Sequence, residues 1–402
     1  MTQHISFKSI WFVSGLVVAA GMATYLDGAV QRPADMFAGY VDLDQPLYPL
    51  APIAGADRAD REAAEIAWRF IVQQTQPDTG MVNSVAGFPS TTLWDQGSYL
   101  LALIAAVKLD VIDGAEFDRR TLDFLDALAR IPLTQHGLPN KVYNTKTLAM
   151  TDYADIAKPD GIGWSALDIA RILLALRILE KFDPATAPVV QNVVAGWDLS
   201  KLADDGDLWG ASVINGQHMI LQEGRIGYEQ YAARAAAMWG LDVGAAMTAD
   251  SILQWRSVAG IDVPIDRRSV QRFQIINPTS SEPYILMGLE IGLDGQSHAL
   301  ASQVLAAQKA RYDQTGHITI VSEDHLDHAP HFAYASVFSN AQDWAVVDAQ
   351  GKHFPEMRTQ STKASFGWDA LFDTMYTNTA VAHIRDVTIT DNGWPAGIYE
   401  AS

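Results

Sequence analysis

The sequence predicts an all-α fold: an (α/α)6 barrel (toroid) with a few β-hairpins in its loops, preceded by an N-terminal hydrophobic helix. Three observations predict it. Ala/Leu-rich stretches with apolar residues three and four apart recur along most of the chain. Strand-like alternation is confined to short stretches. Finally, several predicted helices open with an aromatic residue beside a carboxylate.

The N-terminal element comes first. Lys8 precedes an uncharged run from Ser9 to Leu26, closed by Asp27. Such a run rises about 27 Å as a helix, marginally enough to span a bilayer. It has no polar face and no small-x-small cleavage site follows, which favours an uncleaved anchor over a cleaved signal peptide. Residues 28–56 are spotted with Pro33, Pro46, Pro49 and Pro52 and read as a tether. Residues 57–402 then form one barrel domain in the periplasm, anchored to the inner membrane, or secreted if the leader is cleaved.

Within that domain helices are predicted over 58–76, 92–110, 115–130, 164–183, 185–195, 228–240, 247–257, 282–293, 296–311 and 364–376. The β-like stretches 211–222, 268–276 and 317–322 read as hairpins in long connections. The openings are Trp94-Asp95, Trp164 with Asp168 one turn later, Tyr228-Glu229, Glu282-Pro283-Tyr284 and Trp368-Asp369. A weaker sixth is His331-Phe332. Acids favour first helical turns because of capping and the macrodipole, but that does not account for the aromatic partner. Six openings imply six inner helices whose N-termini ring a cleft.

Composition narrows the chemistry. The 402 residues hold no cysteine, which removes disulfides and thiolate metal sites. Lys and Arg number 28 against 47 Asp and Glu, a net charge of −19. A field of that sign repels nucleic acid and polyuronates, so a substrate is expected to be neutral or cationic. No phosphate-binding glycine loop, nucleophile elbow or zinc-protease motif is present, and neither a cofactor nor a metal is predicted.

Four motifs carry a family resemblance. They are Gly87-Phe88-Pro89-Ser90-Thr91-Thr92-Leu93-Trp94-Asp95-Gln96-Gly97-Ser98, Leu138-Pro139-Asn140-Lys141-Val142-Tyr143, the run Ile162 to Arg171, and the run Glu223 to Ala232. Together they resemble a bacterial family known as domain of unknown function 3131. More thinly, the pattern is similar to glucoamylase-like (α/α)6 domains, a group that includes β-1,2-glucan hydrolases. That resemblance implies carbohydrate chemistry without fixing a substrate.

Glycoside hydrolysis needs one carboxyl group to protonate the leaving oxygen and a second to activate water or attack. The candidate catalytic residues are Asp95, Glu223, Glu229 and Glu282. Glu223 stands in a loop where it caps nothing obvious; Asp95, Glu229 and Glu282 also suit a first helical turn. Asp168, inside a helix, is expected to bond a neighbour. Trp94, Trp164, Tyr228, Tyr284 and Trp368 offer flat faces to sugar rings or fill the core. Asn140, Tyr143 and Arg225 are candidate hydrogen-bonding groups for hydroxyls. Asp324 and His331 belong to the polar run 323–331, read as a pocket-lining loop; it matches no metal motif. The expected function is a glycoside hydrolase or transglycosylase on a neutral β-glucan-type oligo- or polysaccharide. The alternatives are a membrane-anchored glycan-binding factor serving polysaccharide-synthesis machinery, and a polysaccharide lyase built on Arg225, Tyr228 and His331.

Overall fold

A computed structural model describes residues 41–214, 217–268, 276–326, 332–355 and 360–391. The apolar run Ser9–Leu26 and His331 lie outside these residues. Among the described residues, no helix is long and apolar enough to cross a membrane.

Ten helices follow in chain order: α1 (Arg58–Gln74), α2 (Leu93–Lys108), α3 (Gly114–Arg130), α4 (Ala166–Phe182), α5 (Ala187–Ala195), α6 (Tyr228–Ala237), α7 (Glu282–Glu290), α8 (Gly295–Thr315), α9 (Thr362–Leu371) and α10 (Met375–Asp391). Polar side chains set their starts. Asp57, Thr92, Asp113, Ser165, Asp294 and Ser361 each accept a backbone N–H in the first turn of the helix they open.

Helix α2 packs on α4, α4 on α6, α6 on α7, and α7 on α9, one continuous series. Beside them α3 packs on α2, α5 on α3 and α4, α8 on α7, and α10 on α9. Burial follows this arrangement. Helix α3 hides one stripe, Phe117, Thr121, Phe124 and Leu128, whereas α4 is buried without interruption from Ile169 to Leu176. One apolar core joins α1 to α6 and a second joins α7 to α10.

Short strands shape the loops at the helix N-terminal end. β1 (Ser90–Thr91), β2 (Val142–Asn144) and β3 (Met150–Thr151) form one small sheet, with Thr91 opposite Tyr143. This ladder ties two of the sequence motifs together. β4 (Ala203–Asp204), β5 (Asp207–Ile214) and β6 (Gln217–Gln222) form the hairpin expected near 211–222. β9 (Glu323–His325) pairs with β10 (Phe332–Ala335), Glu323 facing Tyr334.

Three expectations are corrected. Residues 247–257 are not a helix: β7 (Leu253–Val258) and β8 (Ile261–Asp266) form a hairpin closed by Ala259-Gly260. Both turn residues have positive φ, as a two-residue hairpin turn demands. Trp368-Asp369 does not open a helix, because α9 starts six residues earlier at its Ser361 cap. Phe332 begins a strand, so no inner helix opens there. Of the other β-like stretches, 317–322 holds only an isolated bridge at Ile320, and 269–275 lies outside the described residues.

Candidate active site

The first turns of α2, α4, α6, α7 and α9 bring Asp95, Asp168, Tyr228, Glu282 and Lys363 into one electrostatic neighbourhood, completed by Glu223 and by β9. Asp95 occupies the third position of α2 and closes a capping box with Thr92, whose N–H reaches Asp95 Oδ2 at 3.2 Å. Three further groups converge on the same carboxylate. The Thr92 hydroxyl donates at 2.8 Å, the Ser84 hydroxyl donates to Oδ2, and His325 Nε2 stands 3.5 Å from Oδ1. Burial alone would raise this carboxyl, but His325 and the two hydroxyls outweigh it and hold Asp95 down at about 2.

Asp168 is the opposite case. Its backbone N–H is capped by Ser165 Oγ at 3.1 Å, and the Ser165 side chain also hydrogen-bonds its carboxyl group. Burial, then the nearby charges of Glu223 and Asp95, push its carboxyl up to about 8. Two carboxyl groups driven in opposite directions within one cleft form an acid and an anion that coexist at neutral pH.

Glu223 is a long-range cap. Its Oε2 accepts the backbone N–H of Ala166 at 2.6 Å and its Oε1 accepts the Ser165 hydroxyl at 2.7 Å. The sequence expectation that it caps nothing is thereby corrected: it caps α4 from 57 residues away. Gly210 leaves the space for it, since a Cβ there would overlap Glu223 Oε2. Likewise a Cβ on Gly163, whose φ is +105°, would overlap the Ala211 carbonyl, so the first turn of α4 lies directly on β5.

The remaining predicted acids divide. Glu282, at the start of α7, accepts Ser322 Oγ–H at 2.9 Å and lies 3.0 Å from Lys363 Nζ. Lys363 also lies 3.6 Å from Asp324 Oδ1, and these carboxylates with Glu323 raise its ammonium pKa against the effect of burial. Glu229 turns away from this group. Only 2% exposed, it pairs with Arg268, which also pairs with Asp266, and accepts Gln222 Nε2–H at 2.9 Å.

Several predicted binding residues serve the scaffold instead. Trp164 is fully buried, donating Nε1–H to the Trp209 carbonyl at 3.0 Å and packing on His136. Trp368 is equally buried and donates to Ser281 Oγ at 3.0 Å, and Tyr284 is enclosed in the second core. Asn140 staples its loop through Val142, Thr151 and Ile162, and the Tyr143 hydroxyl donates to the Pro132 carbonyl. All five are corrected to structural positions because their polar atoms are bonded inside the protein or their rings are enclosed. Arg225 is 3% exposed and donates to Gln222 Oε1; burial and the neighbouring Arg268 lower its pKa to about 10. Trp94 and Tyr228 pack together edge to face, Tyr228 itself being buried. Trp94 is half-buried, with the Arg171 guanidinium 4.8 Å over its ring and Tyr228 and Tyr231 at its edges.

Sequence reasoning did not single out Tyr334, Lys363 or Tyr153 as site residues, and it placed Glu323 only within the pocket-lining run 323–331. Glu323 lies beside Tyr228 and is raised by burial and then by Glu282. Tyr334 pairs opposite Glu323 in the strand ladder and lies within the fields of Glu323, Asp168 and Glu223. Lys363 had no signal until the start of α9 was known. Tyr153, 68% exposed, sits within the field of Asp168, Glu223 and Asp95, an aromatic face at the rim. Among the described residues no group of His, Asp and Glu is arranged to hold a metal ion.

Comparison with solved structures shows the same fold at low identity. A glucoamylase candidate from Bacteroides caccae ATCC 43185 is similar with a TM-score of 0.56 and 11% identity, covering 85% of this chain and 86% of that one. A second, from Bacteroides fragilis NCTC 9343, gives 0.56 and 10%, covering 88% and 86%. An endo-β-1,2-glucanase from Chitinophaga pinensis, solved with sophorotriose and glucose, gives 0.54 and 10%, covering 86% of each chain. None of the curated proteins matches the chain in sequence. The family described as "Protein of unknown function (DUF3131)" matches residues 62–402, and the chain belongs to that family.

Proposed function

We propose that this protein is a glycoside hydrolase, an inner-membrane-anchored (α/α)6 barrel that cleaves a neutral β-glucan-type oligo- or polysaccharide in the periplasm. One observation carries the reading: Asp95 and Asp168 stand close enough for the charge of one to act on the other, while burial pushes the Asp168 carboxyl up and His325, Ser84 and Thr92 hold the Asp95 carboxyl down. The glucoamylase-like fold supports the same class of chemistry.

In this reading Asp168 donates its proton to the glycosidic oxygen as the bond to the anomeric carbon breaks. Asp95 stays anionic and opposes the positive charge that develops on the sugar ring. A water oxygen then bonds to the anomeric carbon, and the proton it releases restores Asp168. Glu223 does not serve as the acid, since both of its oxygens already accept hydrogen bonds at the α4 N-terminus. Tyr153, Trp94 and Tyr228 supply the aromatic faces.

The test is the full-length protein incubated with neutral glucans, β-1,2-linked chains included, with new reducing ends followed over time. Release that disappears in Asp168→Asn and Asp95→Asn is expected. Binding without release from any glucan would overturn the reading. It would favour the second reading, a glycan-binding factor for polysaccharide assembly. One observation favours that alternative: Glu223, Glu229 and Glu282 are each held by partners inside the protein. A lyase is disfavoured, because Tyr228 faces Glu323 and the cleft is dominated by carboxylates that would repel a uronate.

A further inference from the structure

Asp95 lines a chamber of about 300 Å³ between α1, α2 and α9. Ser84, Ser98, Tyr99 and Lys363 add polar groups to its lining. Most of its surface is apolar, with Ala63 and Ala67 of α1, Ala102 of α2 and Phe366 of α9 among its walls. Small alanines at facing positions keep the space open.

The walls decide what can enter. A sugar ring carries hydroxyls that each cost free energy when buried without a partner, and a lining made mostly of methyl and phenyl groups offers few. An apolar guest loses nothing there. A dry apolar cavity of about 150 Å³ accepts a benzene-sized molecule, so this chamber has room for an apolar group of roughly twelve carbons. The volume also matches the lower end, about 300 Å³, of pockets that hold small molecules. Because Asp95 lines the chamber, a guest filling it touches that carboxylate.

We propose that this chamber receives the apolar alkyl or aryl aglycone of an amphipathic glycoside, whose sugar lies among Asp95, Asp168 and Lys363. The substrate class is thus a glycan carrying an apolar group rather than an unsubstituted chain alone. This inference rests on the glycosidase reading for its reaction but not for its binding.

The test uses n-alkyl β-glucosides from methyl to octyl, kept below their micelle concentrations, titrated into the full-length protein by calorimetry. The Kd is expected to fall about fourfold with each added methylene, the value for burying one such group in an apolar site. Ala67→Phe fills the chamber and should abolish the chain-length dependence while methyl glucoside binds as before. Ala102→Leu, a smaller intrusion, should truncate the dependence at shorter chains and guards against misfolding of the first variant. A Kd independent of chain length in the unmodified protein would overturn the proposal, even if unsubstituted glucans are cleaved. Chain-length-dependent binding without hydrolysis of any glucoside would keep the chamber and overturn the hydrolase reading.

Discussion

Glu223 accepts the backbone N–H of Ala166 at 2.6 Å, two residues before Asp168 on the same helix. That one contact places a carboxylate on the helix start and a second charge beside Asp168. After burial, Glu223 is the largest cause of the raised Asp168 pKa. Glu223→Gln keeps an oxygen to accept the N–H but removes the charge. An acid works while protonated, so wild-type kcat/KM is expected to hold up to about pH 8 and decline above it. In Glu223→Gln the decline should begin at lower pH, with little loss of stability. A pH–rate profile of both proteins checks this; an unmoved alkaline limb would remove Glu223 from the site's electrostatics.

Asp168→Asn should trade activity for stability. The ordinary carboxyl value is 3.8 and the folded value about 8, so the folded protein holds this proton more tightly than the unfolded chain. Stability from this group is therefore present below pH 4 and is lost as pH rises through about 8. The variant escapes that loss. Its Tm should exceed wild type by about 2 °C or more at pH 9 and by little at pH 4, while hydrolysis falls by roughly 10²- to 10⁴-fold. Calorimetric scans at the two pH values, with a rate assay, separate these outcomes.

The two tryptophans that open α2 and α4 should part company. Trp164 is enclosed, and Trp164→Ala is expected to cost about 3–5 kcal/mol of stability. Trp94 is only half-buried at the cleft, and Trp94→Phe should raise KM for glucans several-fold with a smaller loss of stability. Chemical denaturation beside steady-state kinetics distinguishes them.

Arg171 offers a fourth prediction. Its guanidinium is 3% exposed and bonds the Tyr231 hydroxyl at 2.6 Å, Glu290 at 3.1 Å and Ser98 at 3.1 Å, linking four inner helices. Removing one member of a buried pair strands the other. Arg171→Met should cost about 3–5 kcal/mol, and adding Glu290→Gln should restore part of it. A double-mutant cycle measured in urea tests the coupling.

Much of this fold was legible because its signals are local. The Thr92-x-x-Asp95 spacing, the pairing of Trp164 with Asp168 one turn later and the apolar stripe of α3 lie within single segments, and the helices read there, 92–110, 164–183 and 115–130, lie within two residues of those observed. The failures are equally physical. Trp368-Asp369 mimics an opening, but the real cap, Ser361, precedes a segment without an acid. Residues 253–266 have mixed periodicity, and the Ala-Gly turn that makes them a hairpin is a weak signal beside the helix-favouring Ala and Leu around it. In the site, Asp95 was readable from its own helix. Asp168 was not, since its protonation depends on Glu223 from another loop, and Glu323 gains its surroundings only when β9 meets α6 and α7.

The Glu223 cap also bears on the order in which the molecule assembles. Helix α4 can coil from its own sequence, but its first turn gains this partner only after the β5–β6 hairpin has formed and returned the chain to Gly210. Contacts closed over so long a loop are among the slowest to form. A chain interrupted before residue 223 would lack the carboxylate that caps the first turn of α4 and that, after burial, does most to raise Asp168.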